Sequence, residues 1–151
     1  MESSVRYRTV AVNGLPIFYR EAGAADAPVI LLLHGFPSSS RMYEPLLRRL
    51  SGRYRLVAPD YPGFGHSAWP KPSEFGYSFD RLAEVMTGFT EALSLGRYHL
   101  VMQDYGGPVG FRMALHKPDR VASMIIQNAV AHDSGLSSLW AARRQFWLNR
   151  T

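Results

Sequence analysis

The chain has 151 residues, 46% hydrophobic and 19% charged, an ordinary balance for a soluble globular domain with a real core. It has no cysteine, which excludes a disulfide scaffold and a Cys-ligated zinc site. The net charge is +5, but the arginines are scattered and the short pairs are only Arg48-Arg49 and Arg143-Arg144, so no nucleic-acid partner is expected.

The first residues, Met1 to Arg6, contain no apolar signal region. A soluble, cytoplasmic protein is expected. Tyr7–Val12 and Leu15–Glu21 read as strands joined by Asn13-Gly14, a strong hairpin signal. Val29–Leu33 is a continuous apolar run, as in a strand buried on both faces, and is too short to span a bilayer. A helix is predicted from Met42 to Leu50 and a strand from Tyr54 to Ala58. Pro59 to Gly76 is rich in Pro, Gly and Ser and reads as loop.

Ser78 is placed to cap a helix running through Leu93, with Asp80 in its first turn. Leu82, Val85, Met86, Phe89 and Leu93 repeat at helical spacing, and Gly96 reads as the stop. His99–Gln103 is the next strand. A helix follows from about Pro108 to His116, ended by Pro118, and then a strand, Val121–Gln127. Beyond Ala131, Leu136, Leu139, Trp140, Phe146 and Trp147 suggest an amphipathic helix to Asn149. Short apolar runs alternating with helical patterns argue for an α/β domain with a mostly parallel, doubly wound sheet.

Three sequence motifs each follow a predicted strand. The first is His34-Gly35-Phe36-Pro37, either a plain turn or a loop that aims a backbone N–H at a developing oxyanion. The second, Asp60 to Ser67, lacks the spacing of a nucleotide-binding loop. It reads as a structural turn in which Asp60 accepts hydrogen bonds while Gly63 and Gly65 supply unusual dihedrals. The third is Gln103-Asp104-Tyr105-Gly106-Gly107, between a strand and a helix. Alone it could be a turn or a helix cap. It also has the form of a nucleophile elbow with Asp104 in the serine slot and Met102 where the first Gly usually stands.

Taken together, HGFP, DYPGFGHS and QDYGG make the chain resemble the α/β-hydrolase superfamily, and more narrowly its epoxide hydrolase and haloalkane dehalogenase group. The likeness runs from the Tyr7 strand to Asn128. It implies residues 1–130 as the N-terminal part of the hydrolase core and 131–151 as the start of a lid (cap) segment. It implies Asp104 as a carboxylate nucleophile, and the backbone N–H groups of Phe36 and Tyr105 as the oxyanion hole. His34, Gly35, Pro37, Asp60, Gly63, Gly65, Gly106 and Gly107 are implied as structural positions. A carboxylate is suited to in-line displacement at saturated carbon, giving an alkyl ester that water then hydrolyses. The implied partner is a small apolar electrophile, an epoxide or an alkyl halide. Dehalogenases typically carry Trp after the nucleophile. Tyr105 and Phe36 make the pattern look more like epoxide hydrolases, with a haloalkane dehalogenase as the alternative.

The same resemblance implies an acid and then a histidine downstream of the nucleophile. After Asp104 only His116 and His132 occur, and neither matches the family position. The family sheet has about eight strands, against six predicted here. The chain as given is therefore expected to be truncated, incomplete at its C-terminal side and inactive alone, with Val121–Gln127 at a raw sheet edge. A non-catalytic truncated product or a small binding module is the alternative outside enzyme chemistry. No metal or organic cofactor is implied.

Overall fold

Asn13 and Gly14 both adopt left-handed backbone, at φ +50° and +81°, which turns the chain back on itself in the geometry that twisted strands favour. In the computed structural model, which describes residues 4–149, this hairpin joins β1 (Arg6–Val12) to β2 (Leu15–Ala22). Met1–Ser3, where no signal segment was read, and the last two residues of the expected lid lie outside the described residues.

The remaining strands are β3 (Val29–Leu33), β4 (Arg55–Pro59), β5 (Tyr98–Gln103) and β6 (Val121–Gln127). The six form one sheet in the order β1-β2-β4-β3-β5-β6. β2 pairs antiparallel with β1 and β4, and the pairs β3–β4, β3–β5 and β5–β6 are parallel. The expected mostly parallel sheet is present.

Alternate residues of the central strands serve two cores. Leu31, Leu33, Val57, Leu100 and Met102 belong to one cluster, whereas Ile30, Leu32, Leu56, Ala58 and Val101 belong to the other. That is why β3 reads as unbroken apolar sequence: both of its faces are covered. The first core is closed by α2 (Phe79–Ala92) and α3 (Gly106–His116), the second by α1 (Glu44–Leu50). Leu82, Val85, Met86 and Phe89 of α2 are all buried, as their spacing predicts. Each such side chain contributes roughly 1.5–3 kcal/mol on burial, so packing rather than intrinsic propensity holds this helix. Ser78 caps it, accepting from the Arg81 N–H at 3.1 Å.

Several boundaries differ from the sequence reading. The segment predicted as one helix from Met42 opens as a 3-10 turn, Ser40–Tyr43, before α1 begins at Glu44. At the end of α2 the reversal is made by Ser94 (φ +49°) and not by Gly96, and the Leu95 N–H returns to the Thr90 carbonyl at 2.9 Å. α3 starts at Gly106, two residues before Pro108, because the turn at Asp104 feeds straight into it. The last helix, α4, spans Trp140–Asn149, not 136–149; Asp133–Gly135 is a 3-10 turn that ends with Leu136 extended. Leu139, Phe146 and Leu148 of this segment are exposed. β6 pairs only with β5 and leaves Met124, Ile125 and Ile126 about half exposed, the raw edge the sequence predicted.

Candidate active site

β3 and β5 are parallel neighbours with Leu33 in register with Met102, so the chain leaves both strands at the same edge of the sheet. The segment His34–Pro37 therefore meets Gln103–Tyr105 although they are far apart in sequence. Asp104 sits at φ +50° between the last residue of β5 and the first turn of α3. Asp tolerates this left-handed region better than most residues, and the turn lifts its side chain off the sheet.

Close approach depends on missing side chains. A Cβ on Gly35 would lie 2.3 Å from Gln103 Oε1 and 2.5 Å from Asp104 Cβ. A Cβ on Gly106 would lie 2.2 Å from the Leu33 carbonyl oxygen. Gly107 faces Ala129 in the same way. Met102, which crowds the usual glycine position of the elbow, is fully buried. Its sulfur occupies space that a Cβ on Gly110 would enter, at 2.2 Å. Gly110 was missed in the sequence; a glycine one helical turn after Gly106, on the face of α3 that meets β5, was the available signal.

The Asp104 carboxylate is held asymmetrically. The Phe36 N–H donates to Oδ1 at 2.8 Å and the Tyr105 N–H donates to the same oxygen at 2.7 Å. Oδ2 has no hydrogen-bond donor among the described residues. The Phe36–Pro37 bond is cis.

His34 is fully buried. Its Nε2 accepts the Tyr61 N–H at 3.3 Å, which leaves Nδ1 to donate to the Gly35 carbonyl at 2.9 Å. Burial pushes its pKa down, against the Gly35 carbonyl and the Asp60 charge, which pull it up. This neutral imidazole braces the loop and has no free nitrogen for proton transfer.

Asp60 is equally buried and acts as a staple. Oδ1 accepts the Ser40 N–H at 2.7 Å and Oδ2 the His66 N–H at 2.9 Å. Its carbonyl accepts from Ser67 Oγ at 2.7 Å, and that hydroxyl oxygen accepts the Phe18 N–H at 2.9 Å. Gly63 (φ +82°) and Gly65 (φ +52°) carry the unusual dihedrals expected of this turn. The role of Ser67 in tying the turn to β2, and the buried Arg20 guanidinium 3.9 Å from Asp60 Oδ1, were not legible from the sequence.

Aromatic rings line the elbow. Tyr105 stacks on Phe36 with centroids 5.5 Å apart and meets Phe79 edge-on at 5.0 Å. Burial, then the Asp104 charge, pushes the Tyr105 hydroxyl pKa up despite the opposing Arg143 charge, so it stays a neutral donor. Of the five histidines, none hydrogen-bonds Asp104 among the described residues: His66 packs on Phe18, His99 pairs with Ser123, and His116 ends α3. His132 precedes the Asp133–Gly135 turn. No group of three or more His, Asp or Glu among the described residues is placed to hold a metal ion, and no described helix is long and apolar enough to cross a membrane.

A family model described as the alpha/beta hydrolase fold matches residues 28–151. The chain is 41% identical over 144 residues to the uncharacterized hydrolase YNR064C of Saccharomyces cerevisiae, covering 94% of this chain and 49% of that protein. It is 42% identical over 112 residues to haloalkane dehalogenase 2 of Mycobacterium tuberculosis, covering 74% of this chain and 38% of the other. Among solved structures, the epoxide hydrolase VrEH1 from Vigna radiata superimposes with a TM-score of 0.78 at 28% identity, over 94% of this chain and 46% of that one. The haloalkane dehalogenase DatA from Agrobacterium tumefaciens C58 does so with a TM-score of 0.81 at 32% identity, over 94% and 48%. The chain thus spans about half, or less, of the length of these relatives.

Proposed function

Since the chain belongs to the alpha/beta hydrolase fold family, we propose that it carries the nucleophile half of an epoxide-opening hydrolase, with Asp104 as the attacking group. The single observation that supports this most is the convergence of the Phe36 and Tyr105 N–H groups on Oδ1 alone. The two carboxylate oxygens then have different tasks. Oδ2 attacks a ring carbon of the epoxide, the carbon–oxygen bond of the ring breaks, and the alkoxide leaving group takes up a proton. Oδ1 becomes the carbonyl oxygen of the resulting alkyl ester.

In the second step water attacks the ester carbonyl carbon and negative charge moves onto Oδ1, where the two N–H donors already point. Such a donor pair is set for the tetrahedral intermediate and costs no reorganisation when the charge forms; loss of one donor typically slows this kind of step about 10²–10³-fold. The ester then breaks, releasing the diol and regenerating the carboxylate. The attacking water must give a proton to a base, and none of the described histidines is placed to take it from the Asp104 centre. Residues 1–130 act in this reading as the core that presents the nucleophile, and 131–151 as the start of a cap over it. The expected setting is the cytoplasm.

Alkyl halides are the second reading, favoured by the 42% identity to a haloalkane dehalogenase. The first step is the same, with halide leaving instead of alkoxide. Tyr105 follows the nucleophile where those enzymes typically carry Trp, and its O–H cannot donate from the place of the indole N–H, which counts against halide binding. Intact-mass analysis after exposure to styrene oxide or a bromoalkane separates the two. An adduct from the epoxide that is lost in Asp104→Asn supports the proposal. An adduct only from the halide supports the second reading. Adduct formation persisting in Asp104→Asn overturns both.

A further inference from the structure

We infer that Tyr43 is a positioning residue for the hydrolytic half-reaction, its hydroxyl setting the spacing of the Phe36 and Tyr105 N–H donors through the Leu33 carbonyl; this rests on the Asp104 nucleophile reading above. Tyr43 is the last residue of the Ser40–Tyr43 turn, and its ring is buried in the second core with Leu32, Leu47 and Ala58. Its hydroxyl donates to the Leu33 carbonyl at 2.9 Å, so the loop that carries Phe36 is closed by its own far end. Burial pushes the hydroxyl pKa up, which keeps it a neutral donor. The Leu33 oxygen belongs to the planar Leu33–His34 peptide. Holding that oxygen therefore fixes the direction in which the chain leaves β3 for the oxyanion loop.

The second donor is placed from the same atom. Gly106, the first residue of α3, comes so close to the Leu33 carbonyl that a Cβ would lie 2.2 Å from the oxygen. Tyr105, whose N–H donates to Oδ1 of Asp104 at 2.7 Å, directly precedes it. Phe36, shortly after Leu33 in the chain, donates to the same Oδ1 at 2.8 Å. One carbonyl thus governs where both donors stand. The Tyr43 hydroxyl is not needed to fill the core, since a phenylalanine ring would occupy the same space; what it adds is the bond to Leu33. The other end of the turn is tied separately. There the Ser40 N–H donates to Asp60 Oδ1 at 2.7 Å, and Ser40 Oγ accepts from the Arg20 guanidinium. Leu33, Ser40, Tyr43 and Gly106 are all buried within the described residues.

Without the Tyr43 hydroxyl the Leu33 peptide is free to tilt, and the two N–H groups lose their common aim at Oδ1. Charge gathers on that oxygen when water attacks the ester, whereas ester formation draws charge off the carboxylate, so the two steps respond differently. The test uses the complete gene product, with rapid mixing and intact mass to time the formation and loss of the Asp104 ester. Styrene oxide and bromohexane are the electrophiles; either serves, because the ester carbonyl is common to both leaving groups. In Tyr43→Phe, hydrolysis is expected to slow about tenfold, short of the roughly 10²–10³-fold of losing a donor outright, with ester formation within about twofold of wild type. The ester carbonyl stretch, read by infrared difference with isotope-labelled aspartate, should move to higher wavenumber as its hydrogen bonds weaken. A residue that only supports the fold would lower the active fraction and leave both rate constants and the stretch in place. Ser40→Ala frees the other end of the turn and is expected to give the same split; it decides the matter if Tyr43→Phe does not fold. Equal change in both phases, or none in either, overturns the inference while the Asp104 ester still forms. Absence of the ester with both electrophiles removes the nucleophile reading itself, a distinct result.

Discussion

Phe36 and Asp104 are 68 positions apart in the chain, yet the N–H of one donates to the carboxylate of the other at 2.8 Å. The absence of a side chain at Gly35 makes this contact possible, since a Cβ there would press on both Gln103 and Asp104. Gly35→Ala is expected to push the loop back and withdraw one of the two donors from Oδ1. Hydrolysis of the ester should fall about 10²–10³-fold, and ester formation less, because charge builds on Oδ1 mainly in the second step. Rapid-mixing measurement of the two phases in the complete enzyme checks this. Equal losses in both would mean that the loop positions substrate and not the oxyanion.

Met102 and Gly110 form a matched pair in the same elbow. Gly110→Ala is expected to destabilise the fold by about 1–3 kcal/mol, as overpacking of a filled core does. Met102→Ala on its own removes buried volume and costs roughly 2–5 kcal/mol. In the double variant the new methyl enters space vacated by the methionine, so the combined loss should be smaller than the sum by about 1 kcal/mol or more. Urea unfolding of all four proteins measures this coupling. Strict additivity would contradict the idea that Gly110 accommodates Met102.

The parts of the structure that the sequence announced are those set by local pattern. The apolar run of β3, the cap at Ser78 and the left-handed pair Asn13-Gly14 each carry their cause within a few residues. The order of elements placed Asp104 in a strand-to-helix turn for the same reason. What could not be read depends on packing between distant segments. Ser94, and not Gly96, reverses the chain after α2, in step with the burial of Leu95 against the core. Likewise α3 begins at Gly106 and not near Pro108, and Gly106 packs closely against the Leu33 carbonyl of a strand distant in sequence. The single oxygen shared by the Phe36 and Tyr105 donors is a matter of angles that no spacing rule contains.

His34 should make stability depend on pH in a definite direction. Its pKa is lowered in the folded state by burial, so near its ordinary value of about 6.5 the unfolded chain binds the proton and the folded chain does not. Stability then rises with pH through the window from the lowered folded value up to about 6.5, and is fully present above it. Acidification from pH 7.5 to 5.5 should therefore reduce the unfolding free energy. His34→Gln should flatten that part of the profile while lowering stability at neutral pH. An identical slope in the variant would assign the acid sensitivity elsewhere.

Asp60 holds three segments together, and its two oxygens have separate N–H donors. Asp60→Asn keeps one acceptor but turns an NH₂ group towards the other donor, and it removes the negative charge beside Arg20. Breaking one partner of such a buried arrangement costs about 3–5 kcal/mol, so the variant should be strongly destabilised. A thermal midpoint close to wild type would mean that Arg20 is balanced by Glu44 alone, 3.6 Å from its Nε.

The Tyr61 hydroxyl is the reverse case. It is completely buried, and no hydrogen-bond partner reaches it among the described residues. Burial, with the nearby Tyr43 and Asp104, pushes its pKa well above the ordinary range, so it is neutral throughout the stable pH window. An unpaired buried hydroxyl costs about 1–3 kcal/mol relative to a bonded one, and deleting it relieves that cost. Tyr61→Phe keeps the ring 4.3 Å from His34 and keeps the backbone N–H that fixes the histidine tautomer. The variant is therefore expected to be as stable as wild type or more so, by up to about 1 kcal/mol in urea unfolding, because only the unpaired oxygen is lost. A loss of that size instead would show that the hydroxyl is hydrogen-bonded in solution.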